Sequence, residues 1–443
     1  MKVGIIGAGI AGLSCAYELS KLGHSVSIYE QAPFVGGQAS TFPVGSAQLE
    51  RGYHHLFVSD TYITELIDEL GLSDQLQWFE SKVGLYHGGR IWSFGTPIDL
   101  IKFTPLPLFD RIRLGIWTLI LQKTTNWRKF EGITAREWII KHMGNKSNEV
   151  IWEPLLRGKF GEYFDKISMT WVWGKIFLRV ASRKKGTQKE LLGYPIGSFG
   201  EVIDKLSDTI IKLGGAIYTN VPVNKIITNN GIATGIEIQL DPENSSIRDY
   251  DAIISTTPSH IMPFLAPELP QDYVSILKRT EYLSAVLLIL VLDKPLSDIY
   301  WMNIADRSFP FVGIIEHTNM IDKSLYDDQH IIYLTNYVSR DSKIYSQNGA
   351  ELLKEFIPYL KQINPDFDNS WVLEYHHHKV DGAQPIVRTN YSEQIPDHRT
   401  PIKNLYLGNT TQIYPEDRGT NYSVRLGKHL SSIVCADLVD QTK

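Results

Sequence analysis

The chain has 443 residues, of which 43% are hydrophobic and 21% charged, and its net charge at neutral pH is -5. This length suits two or three domains with large cores, whereas the slight acidity and the scattered basic residues give no reason to expect a nucleic-acid partner. The two cysteines, Cys15 and Cys435, form no CxxC pair, which excludes a dithiol redox centre.

The first thirty residues predict a βαβ unit. Val3 to Ile6 is an apolar run typical of a parallel strand, Ala11 to Leu22 has apolar residues at helical spacing, and Ser25 to Tyr29 is a second strand. Glycines interrupt the apolar start, and the pattern continues directly into this unit. We therefore predict a mature cytoplasmic N-terminus rather than a secretion signal.

The turn between the first strand and the helix, GAGIAG, predicts a dinucleotide site. Gly7 permits the tight turn, Gly9 lets the backbone approach a pyrophosphate, and Gly12 lets helix and strand pack closely. The pyrophosphate is expected at the helix N-terminus, where free N–H groups favour an anion. Glu30 ends the second strand, where a carboxylate can accept hydrogen bonds from both ribose hydroxyls.

The segment that follows distinguishes FAD from NAD. GGQAST, from Gly36 to Thr41, resembles the GGRxx(S/T) motif of the amine oxidase superfamily of flavoproteins, which includes protoporphyrinogen oxidases, phytoene desaturases and UDP-galactopyranose mutases. The resemblance implies that Gly36, Gly37 and Gln38 cover the pyrophosphate of a noncovalently bound FAD a second time. Gln38 stands where the family usually has arginine, so a neutral donor replaces a charged one. We therefore expect either a weaker affinity for FAD or a compensating contact elsewhere.

The C-terminal segment resembles the closing segment of the same superfamily. Leu405 to Leu407 predicts a strand and about residue 421 begins a helix. The resemblance implies that Gly408 and Asn409 lie at the ribityl and phosphate region, and that Gly419 starts a helix whose N-terminus faces the flavin. Asn409 replaces the usual acid and Val424 a usual glycine. In the middle of the chain, Val223 matches the position whose backbone meets the adenine.

These segments predict an α/β fold with a discontinuous, Rossmann-like FAD-binding domain of the glutathione-reductase type, formed by residues 1–85, 195–262 and 400–443. Residues 86–194 and 263–399 are then expected to form an inserted α+β substrate domain. Within it, the apolar runs Ala285 to Leu292 and His330 to Val338 predict buried strands, and residues 350–362 predict a helix.

The sequence contains no second strand, GxGxxG turn and helix, which a flavoenzyme reduced by NAD(P)H normally carries. We therefore expect an FAD-dependent oxidoreductase that takes hydride from a bulky apolar or amphipathic small molecule and is reoxidised by oxygen, a quinone or another carrier. Two alternatives stay open. One is a non-redox mutase in which reduced flavin attacks a nucleotide sugar, and the other is a flavin-binding protein without catalysis.

Several polar residues are candidates for the reaction itself. The family resemblance implies that His54 and His55 border the flavin ring, where either could polarise flavin or substrate. Gln384 matches a short motif that enters the flavin site of protoporphyrinogen oxidases. The adjacent histidines 376–378 point in alternating directions on a strand, so no metal site is predicted.

Basic residues of the substrate stretch are candidates for binding an anionic group. Arg157, Lys159 and Arg179 could bind a diphosphate or a propionate, although the tryptophans around them favour an apolar or ring-shaped ligand. Leu106 to Lys123 predicts a helix that is apolar almost all round after Arg113. We expect this helix to be buried, and the alternative is contact with a membrane surface.

Overall fold

The computed structural model describes residues 1–181 and 190–440. The strands of the described residues are β1 (Lys2–Ile6), β2 (Ser25–Tyr29), β3 (Thr41–Val44), β4 (Ala47–Glu50), β5 (Leu56–Phe57), β6 (Leu76–Glu80), β7 (Val83–His87), β8 (Arg90–Ser93), β9 (Leu191–Pro195), β10 (Ala216–Tyr218), β11 (Val223–Asn229), β12 (Ile232–Gln239), β13 (Ser245–Asp249), β14 (Ala252–Ser255), β15 (Tyr282–Leu292), β16 (Trp301–Ile304), β17 (Gly313–Glu316), β18 (His330–Val338), β19 (Val372–Pro385) and β20 (Leu405–Leu407).

The α-helices of the same residues are α1 (Ile10–Lys21), α2 (Thr61–Glu69), α3 (Pro97–Lys102), α4 (Leu108–Gln122), α5 (Ala135–Met143), α6 (Asn145–Ser147), α7 (Glu153–Phe160), α8 (Met169–Ala181), α9 (Phe199–Lys212), α10 (Met262–Leu265), α11 (Gln271–Leu277), α12 (Lys343–Ser346), α13 (Gly349–Ile363) and α14 (Thr420–Asp440). A short π-helix, Asn148–Trp152, joins α6 to α7.

A parallel sheet with strand order β10-β2-β1-β14-β20 forms the nucleotide-binding part of the fold. Its central strand β1 pairs with β2 and β14, and apart from Ser255 at the end of β14 their buried side chains are apolar, as expected of a parallel sheet covered on both faces. Helix α1 packs against α9 and α14. The antiparallel strands β11, β12 and β13 form a meander beside this sheet.

A seven-stranded mixed sheet with order β19-β15-β18-β17-β16-β7-β8 forms the second layer. Strand β15 is buried along nearly its whole length between β18 and β19, and α13 packs against β15 and β19. Helices α4, α5 and α8 pack together around a separate apolar core rich in tryptophan. The predicted strands in this region and the predicted helix at α13 are confirmed.

This architecture confirms the predicted α/β class with a Rossmann-like unit and an additional α+β region. The predicted domain boundaries stay a prediction. Strands β7 and β8 both belong to the seven-stranded sheet, so the chain enters that sheet at Val83, and β9 pairs with β5 and β6 in a small sheet of its own.

The expected burial of the apolar helix near residue 106 is wrong for one of its faces. In α4, Leu114 and Leu121 are buried, but Phe109 is 72% exposed and five further apolar residues of the helix are more than 40% exposed. The helix packs through only part of its apolar surface, because its hydrophobic residues extend around more of the helix than its neighbours cover. No helix in the described ranges is long and apolar enough to cross a membrane.

Candidate active site

The loop between β1 and α1 lies at the carboxyl edge of the parallel sheet. Gly7 has a left-handed backbone (φ 102°), and its N–H donates to the Tyr29 carbonyl at 2.8 Å. A Cβ atom on Gly12 would lie 2.1 Å from the Gly7 carbonyl oxygen, so only glycine allows helix and loop to approach this closely. No side chain caps α1, and no acidic residue occurs in its first turn, so the N-terminal N–H groups stay available to an anion.

A second glycine loop packs against the first. Gly36 forms a parallel bridge with Gly9 and donates its N–H to the Ala8 carbonyl at 2.8 Å. Gly36 and Gly37 both have positive φ, and a Cβ atom on Gly37 would lie 3.0 Å from the Gly9 Cα. The two loops together, residues 7–12 and 36–40, are called the cradle below. Where the loops meet, Gly9, Gly36 and Gly37 present backbone without side chains, as the close approach of a pyrophosphate requires.

Glu30 closes one side of the cradle. Its carboxylate accepts hydrogen bonds from the backbone N–H groups of Ala8 and Ala32, each at 2.9 Å. Each carboxylate oxygen retains a further lone pair for a ribose hydroxyl. The Glu30 carbonyl accepts the Val221 N–H at 2.9 Å, which places Val223, at the start of β11, two residues beyond this contact.

The C-terminal glycines lie where the chain returns to the parallel sheet. Gly408 follows β20, donates its N–H to the Ser255 carbonyl and leaves no room for a side chain, since a Cβ atom would lie 2.3 Å from Leu430. The Asn409 side chain accepts the Thr411 N–H and donates to the Thr257 carbonyl, so it holds neighbouring loops together. Gly419 directly precedes α14, and a Cβ atom there would meet nothing closer than 4.0 Å.

Arg418, beside Gly419, connects the cradle to the seven-stranded sheet. Its guanidinium donates to the Gln38 side-chain oxygen at 2.9 Å and to the Gln384 side-chain oxygen at 3.0 Å. A third hydrogen bond reaches the Tyr337 hydroxyl at 3.0 Å. Gln38 stands at the usual position of an arginine in the cradle motif, and the structure supplies a guanidinium to the same place from the opposite end of the chain.

Tyr337 is the centre of a group of charged and phenolic side chains. Its hydroxyl lies 3.1 Å from the Tyr53 hydroxyl and 3.4 Å from the Lys159 ammonium. Asp417 forms an ion pair with Lys175 at 2.6 Å and lies 4.0 Å from Lys159. We call this group the charged junction; it consists of Tyr53, Lys159, Lys175, Tyr337, Asp417 and Arg418.

The charges of the junction shift the ionisation of its members. Burial disfavours the charged form of Asp417, but Lys175, Lys159 and Arg418 outweigh it and hold the pKa of the carboxyl well below its usual range. Burial likewise opposes ionisation of Tyr337, yet Lys159 and Arg418 lower the pKa of its phenol. Burial and the neighbouring Tyr337 raise the pKa of Tyr53. The junction therefore contains one phenol that stays protonated and another that is biased toward phenolate.

The predicted histidines lie near this group and have partners of their own. The Nδ1 atom of His54 lies 2.6 Å from the Gly52 carbonyl, and burial lowers the pKa of this histidine to about 4, so its ring is neutral at neutral pH. His55 contacts the Tyr300 hydroxyl through Nδ1 at 3.1 Å. Catalysis by either histidine stays a prediction.

The predicted basic residues do not all come together. Lys159 belongs to the junction, whereas Arg157 pairs with Glu153 at 3.1 Å and stacks over the Phe164 ring at 3.5 Å from its centroid. Arg179 is in α8, but its side chain lies outside the described residues. Substrate binding by these residues stays a prediction.

Sequence reasoning missed Tyr53, Lys175, Tyr337, Asp417 and Arg418. Two signals could have found some of them. Tyr53 directly precedes the two histidines that drew attention, and Asp417 and Arg418 directly precede the glycine that starts α14. No local pattern marks Tyr337, because it is one of two tyrosines in a largely buried strand and its partners come from distant parts of the chain.

The chain is similar in sequence and fold to known flavin-dependent oxidoreductases. The family model for flavin containing amine oxidoreductases matches residues 10–415. A 15-cis-phytoene desaturase from Glycine max is 24% identical over 442 residues, covering 92% of this chain and 74% of the desaturase. A coproporphyrinogen III oxidase from Staphylococcus aureus is 26% identical over 321 residues, covering 65% of this chain and 67% of the oxidase. The crystal structure of an oxidoreductase from Methanosarcina mazei is similar with a TM-score of 0.74 and 21% identity, covering 98% of this chain and 99% of that one.

Proposed function

The chain belongs to the flavin-containing amine oxidoreductase family and is an FAD-dependent oxidoreductase with noncovalently held cofactor, and we propose that it oxidises a bulky, amphipathic substrate that carries an acidic group. The cradle and Glu30 hold the nucleotide part of the FAD. Bound FAD supplies a two-electron acceptor at the site. The residues of the charged junction bind and orient the substrate.

The charge balance of the junction carries this proposal. Lys159, Lys175 and Arg418 place three basic side chains around one carboxylate, that of Asp417, while burial lowers the pKa of Lys159. The shortage of negative charge favours a ligand that brings its own anion. Lys175 lies over the ring of Trp171, which packs on Phe160 at 4.8 Å between ring centroids, and both rings are buried in the tryptophan-rich core. The cations therefore border an apolar region, which is compatible with a ligand that also has an apolar body.

The names of two similar proteins suggest contrasting probes. The phytoene desaturase is named for a hydrocarbon, and the coproporphyrinogen III oxidase is named for a tetrapyrrole with carboxylate side chains. We expect anaerobic coproporphyrinogen III to bleach the flavin absorbance of the purified protein, and 15-cis-phytoene to leave it unchanged. Bleaching by phytoene alone would contradict the acidic group. Tight binding of UDP, with turnover that starts only after dithionite reduction, would instead support the non-redox mutase.

The residues that bind the acidic group can be tested with a matched pair of variants. Lys159→Met removes a charge of the junction, whereas Arg157→Met removes a nearby charge that is paired with Glu153 outside it. We expect Lys159→Met to raise the half-saturating concentration of the bleaching substrate roughly ten-fold or more, the value of one charge-assisted hydrogen bond. Arg157→Met should leave it nearly unchanged, and equal effects would contradict the assignment.

We also propose that oxygen, a quinone or another carrier reoxidises the flavin. The sequence offers no second GxGxxG unit for a nicotinamide cofactor, which supports this choice. Neither NADH nor NADPH should then bleach the flavin anaerobically. Mixing substrate-reduced protein with oxygen or with a soluble quinone in a stopped-flow instrument identifies the faster acceptor.

The exposed apolar face of α3 and α4 supports a peripheral contact with a lipid surface. On α4 the exposed residues share one side of the helix, Lys123 at its end continues that side, and Asp110 lies on the opposite one. The adjacent α3 adds two exposed isoleucines and the exposed Lys102. The face consists of Ile98, Ile101, Leu108, Phe109, Ile112, Ile116, Leu119 and Ile120. An apolar face bordered by lysines fits an anionic bilayer.

Vesicle flotation tests this contact. We expect the protein to float with vesicles of anionic phospholipid, and less with zwitterionic ones, and Phe109→Ser should reduce the bound fraction. Phe264→Ser is the matched control, because Phe264 is 76% exposed on α10, away from this face. Concentration-dependent self-association without flotation, abolished by Phe109→Ser, would assign the face to a second copy of the chain instead.

A further inference from the structure

The Tyr337 hydroxyl is surrounded by hydrogen-bond donors. Lys159 on α7 and the Arg418 guanidinium lie within 3.4 and 3.0 Å of the phenolic oxygen, and neither group can accept a hydrogen bond. The third neighbour is the Tyr53 hydroxyl at 3.1 Å. A neutral Tyr337 could donate its proton only to Tyr53, whereas a phenolate could accept from all three neighbours. The geometry therefore suits the deprotonated form.

The surrounding charges act in the same direction. Facing Tyr337 are Lys159 from α7, Tyr53 from the segment after β4, and Arg418 with Asp417 from the segment before α14, and Lys175 from α8 pairs with Asp417. His54 is kept neutral, chiefly by burial and further by Arg418. Asp417 is the one ionised carboxylate of this group, so a phenolate at Tyr337 brings the charges closer to balance.

Tyr337 is also placed to meet a substrate. Its side chain is half-buried rather than enclosed, and it lies at the end of β18, next to the arginine that contacts the cradle and Gln384. Arg418 lies two residues before α14, and the family resemblance implies that the N-terminus of this helix faces the flavin ring, so a substrate bound at the junction would lie beside the flavin. A proton acceptor at Tyr337 is thus within the same site as the hydride acceptor.

We propose that Tyr337 is a catalytic proton acceptor that removes a proton from the substrate while the substrate transfers hydride to FAD; this rests on the proposed function. FAD, when bound, would accept both electrons of one substrate C–H bond as a hydride. A neighbouring N–H, O–H or C–H bond breaks with its proton going to the Tyr337 oxygen, and its electron pair forms the new double bond. Lys159 and Arg418 position the phenolate, and Tyr53 donates to it.

The first test observes the phenol in the holoenzyme. With tyrosine carrying ¹³C at Cζ, the signal that disappears in Tyr337→Phe should titrate well below the value of about 10 that is usual for a phenol. Lys159→Met should raise the pH at which this signal titrates without removing the signal. This variant therefore tests whether Tyr337 is a phenolate even if Tyr337→Phe folds poorly. Tyr375→Phe, an exposed residue of β19, should leave the signal in place. A Tyr337 signal that stays protonated through the neutral range overturns the proposal.

The second test measures proton uptake when the flavin is reduced, and it needs no substrate. Reduction adds negative charge to the site, so a phenolate there gains affinity for a proton. The pH dependence of the flavin midpoint potential gives the number of protons taken up per two electrons. We expect this number to be larger, by up to one proton, in the wild type and in Tyr375→Phe than in Tyr337→Phe. Equal proton uptake in all three proteins overturns the proton-accepting role. Both tests can give the expected results while no acidic substrate bleaches the flavin. In that case the proposed substrate class is wrong and the proton-accepting role of Tyr337 stands.

Discussion

The cradle and the charged junction hold the two reactants by different means. The cradle is made of backbone, in which glycines keep side chains away and Glu30 accepts two backbone N–H groups. The junction is made of side chains that come from distant parts of the chain: Tyr53 and Tyr337 are 284 residues apart, and Lys159 and Tyr337 are 178 apart. Damage to the cradle should therefore release the cofactor, whereas damage to the junction should leave the cofactor bound and change stability, proton transfer or substrate affinity.

The most damaging single change is expected in the cradle, at Gly12. In Gly12→Ala the new methyl group would lie 2.1 Å from the Gly7 carbonyl oxygen, and backbone atoms cannot move aside as a flexible side chain can. We expect loss of FAD during gel filtration and destabilisation of about 3 kcal/mol or more, measured by flavin fluorescence and by urea unfolding. In Gly115→Ala, also within a helix, the methyl group would make an ordinary contact at 3.7 Å with Leu100. Retention of FAD by Gly12→Ala would contradict the proposal that FAD binding requires the close approach of α1 to the Gly7 loop.

The next largest effect is expected in the junction, at Asp417. Asp417→Asn removes the carboxylate that Lys175 and Lys159 share and leaves their charges uncompensated, which should cost on the order of 3 kcal/mol in the free energy of unfolding. Because folding lowers the pKa of Asp417, its stabilisation is present above the unfolded pKa of about 4 and is lost as the pH falls through the folded value. The difference between wild type and variant should thus narrow below about pH 4.

Urea unfolding at a series of pH values, with flavin content measured beside it, checks this prediction. Asp366→Asn is a suitable control, since Asp366 is exposed and far from the junction in the chain. A constant difference between Asp417→Asn and wild type down to pH 3 would show that folding does not lower the pKa of the Asp417 carboxyl.

The contrast between the two regions explains what the sequence could reveal. The cradle is a local pattern: the GAGIAG turn follows a strand and opens a helix, and Glu30 ends the next strand, so its parts can be placed from spacing alone. The parallel sheet and the buried strand β15 follow from apolar runs in the same way. The junction has no such pattern. Lys159 could be selected as a basic residue in an aromatic stretch, but its partner Tyr337 is defined only by how β18 and α7 pack.

Helix α4 shows a second limit of sequence reasoning. Its composition is compatible with burial on all sides or with one exposed face. Apolar side chains favour a nonaqueous environment, but the sequence does not show whether protein, lipid or a second chain provides that environment. The structure buries Leu114 and Leu121 and leaves Phe109 and Ile112 exposed. The positions of the neighbouring helices α3, α5, α6 and α8 decide which residues are covered.

A moderate effect is expected for Glu30, at the edge of the cradle. Glu30→Ala removes a charged acceptor from the ribose hydroxyls and from the Ala8 and Ala32 N–H groups, and it should weaken FAD binding by roughly ten-fold to a hundred-fold. Glu30→Gln keeps one acceptor oxygen and should weaken binding less. Equilibrium titration of the apoprotein with FAD measures both, and Glu65→Ala on the exposed side of α2 serves as the control. Unchanged affinity in Glu30→Ala would mean that the carboxylate only fastens the two loops together.

The smallest effect is expected for Arg157, which is close to Lys159 in sequence and separate from it in function. Its guanidinium pairs with Glu153 and stacks on Phe164 at the border of the aromatic region, and 39% of its side chain is exposed. A partly solvated pair of this kind contributes less than about 1 kcal/mol, and Arg307 remains as a second partner for Glu153 in the variant. Arg157→Ala should therefore keep its flavin and lower the midpoint of thermal unfolding by only a few degrees. It should also leave the half-saturating substrate concentration within about two-fold of the wild type, within the range expected of a surface substitution. A ten-fold increase in that concentration with normal flavin content would extend the anion-binding site beyond the junction to α7 as a whole, and would favour a substrate with two acidic groups over one with a single group.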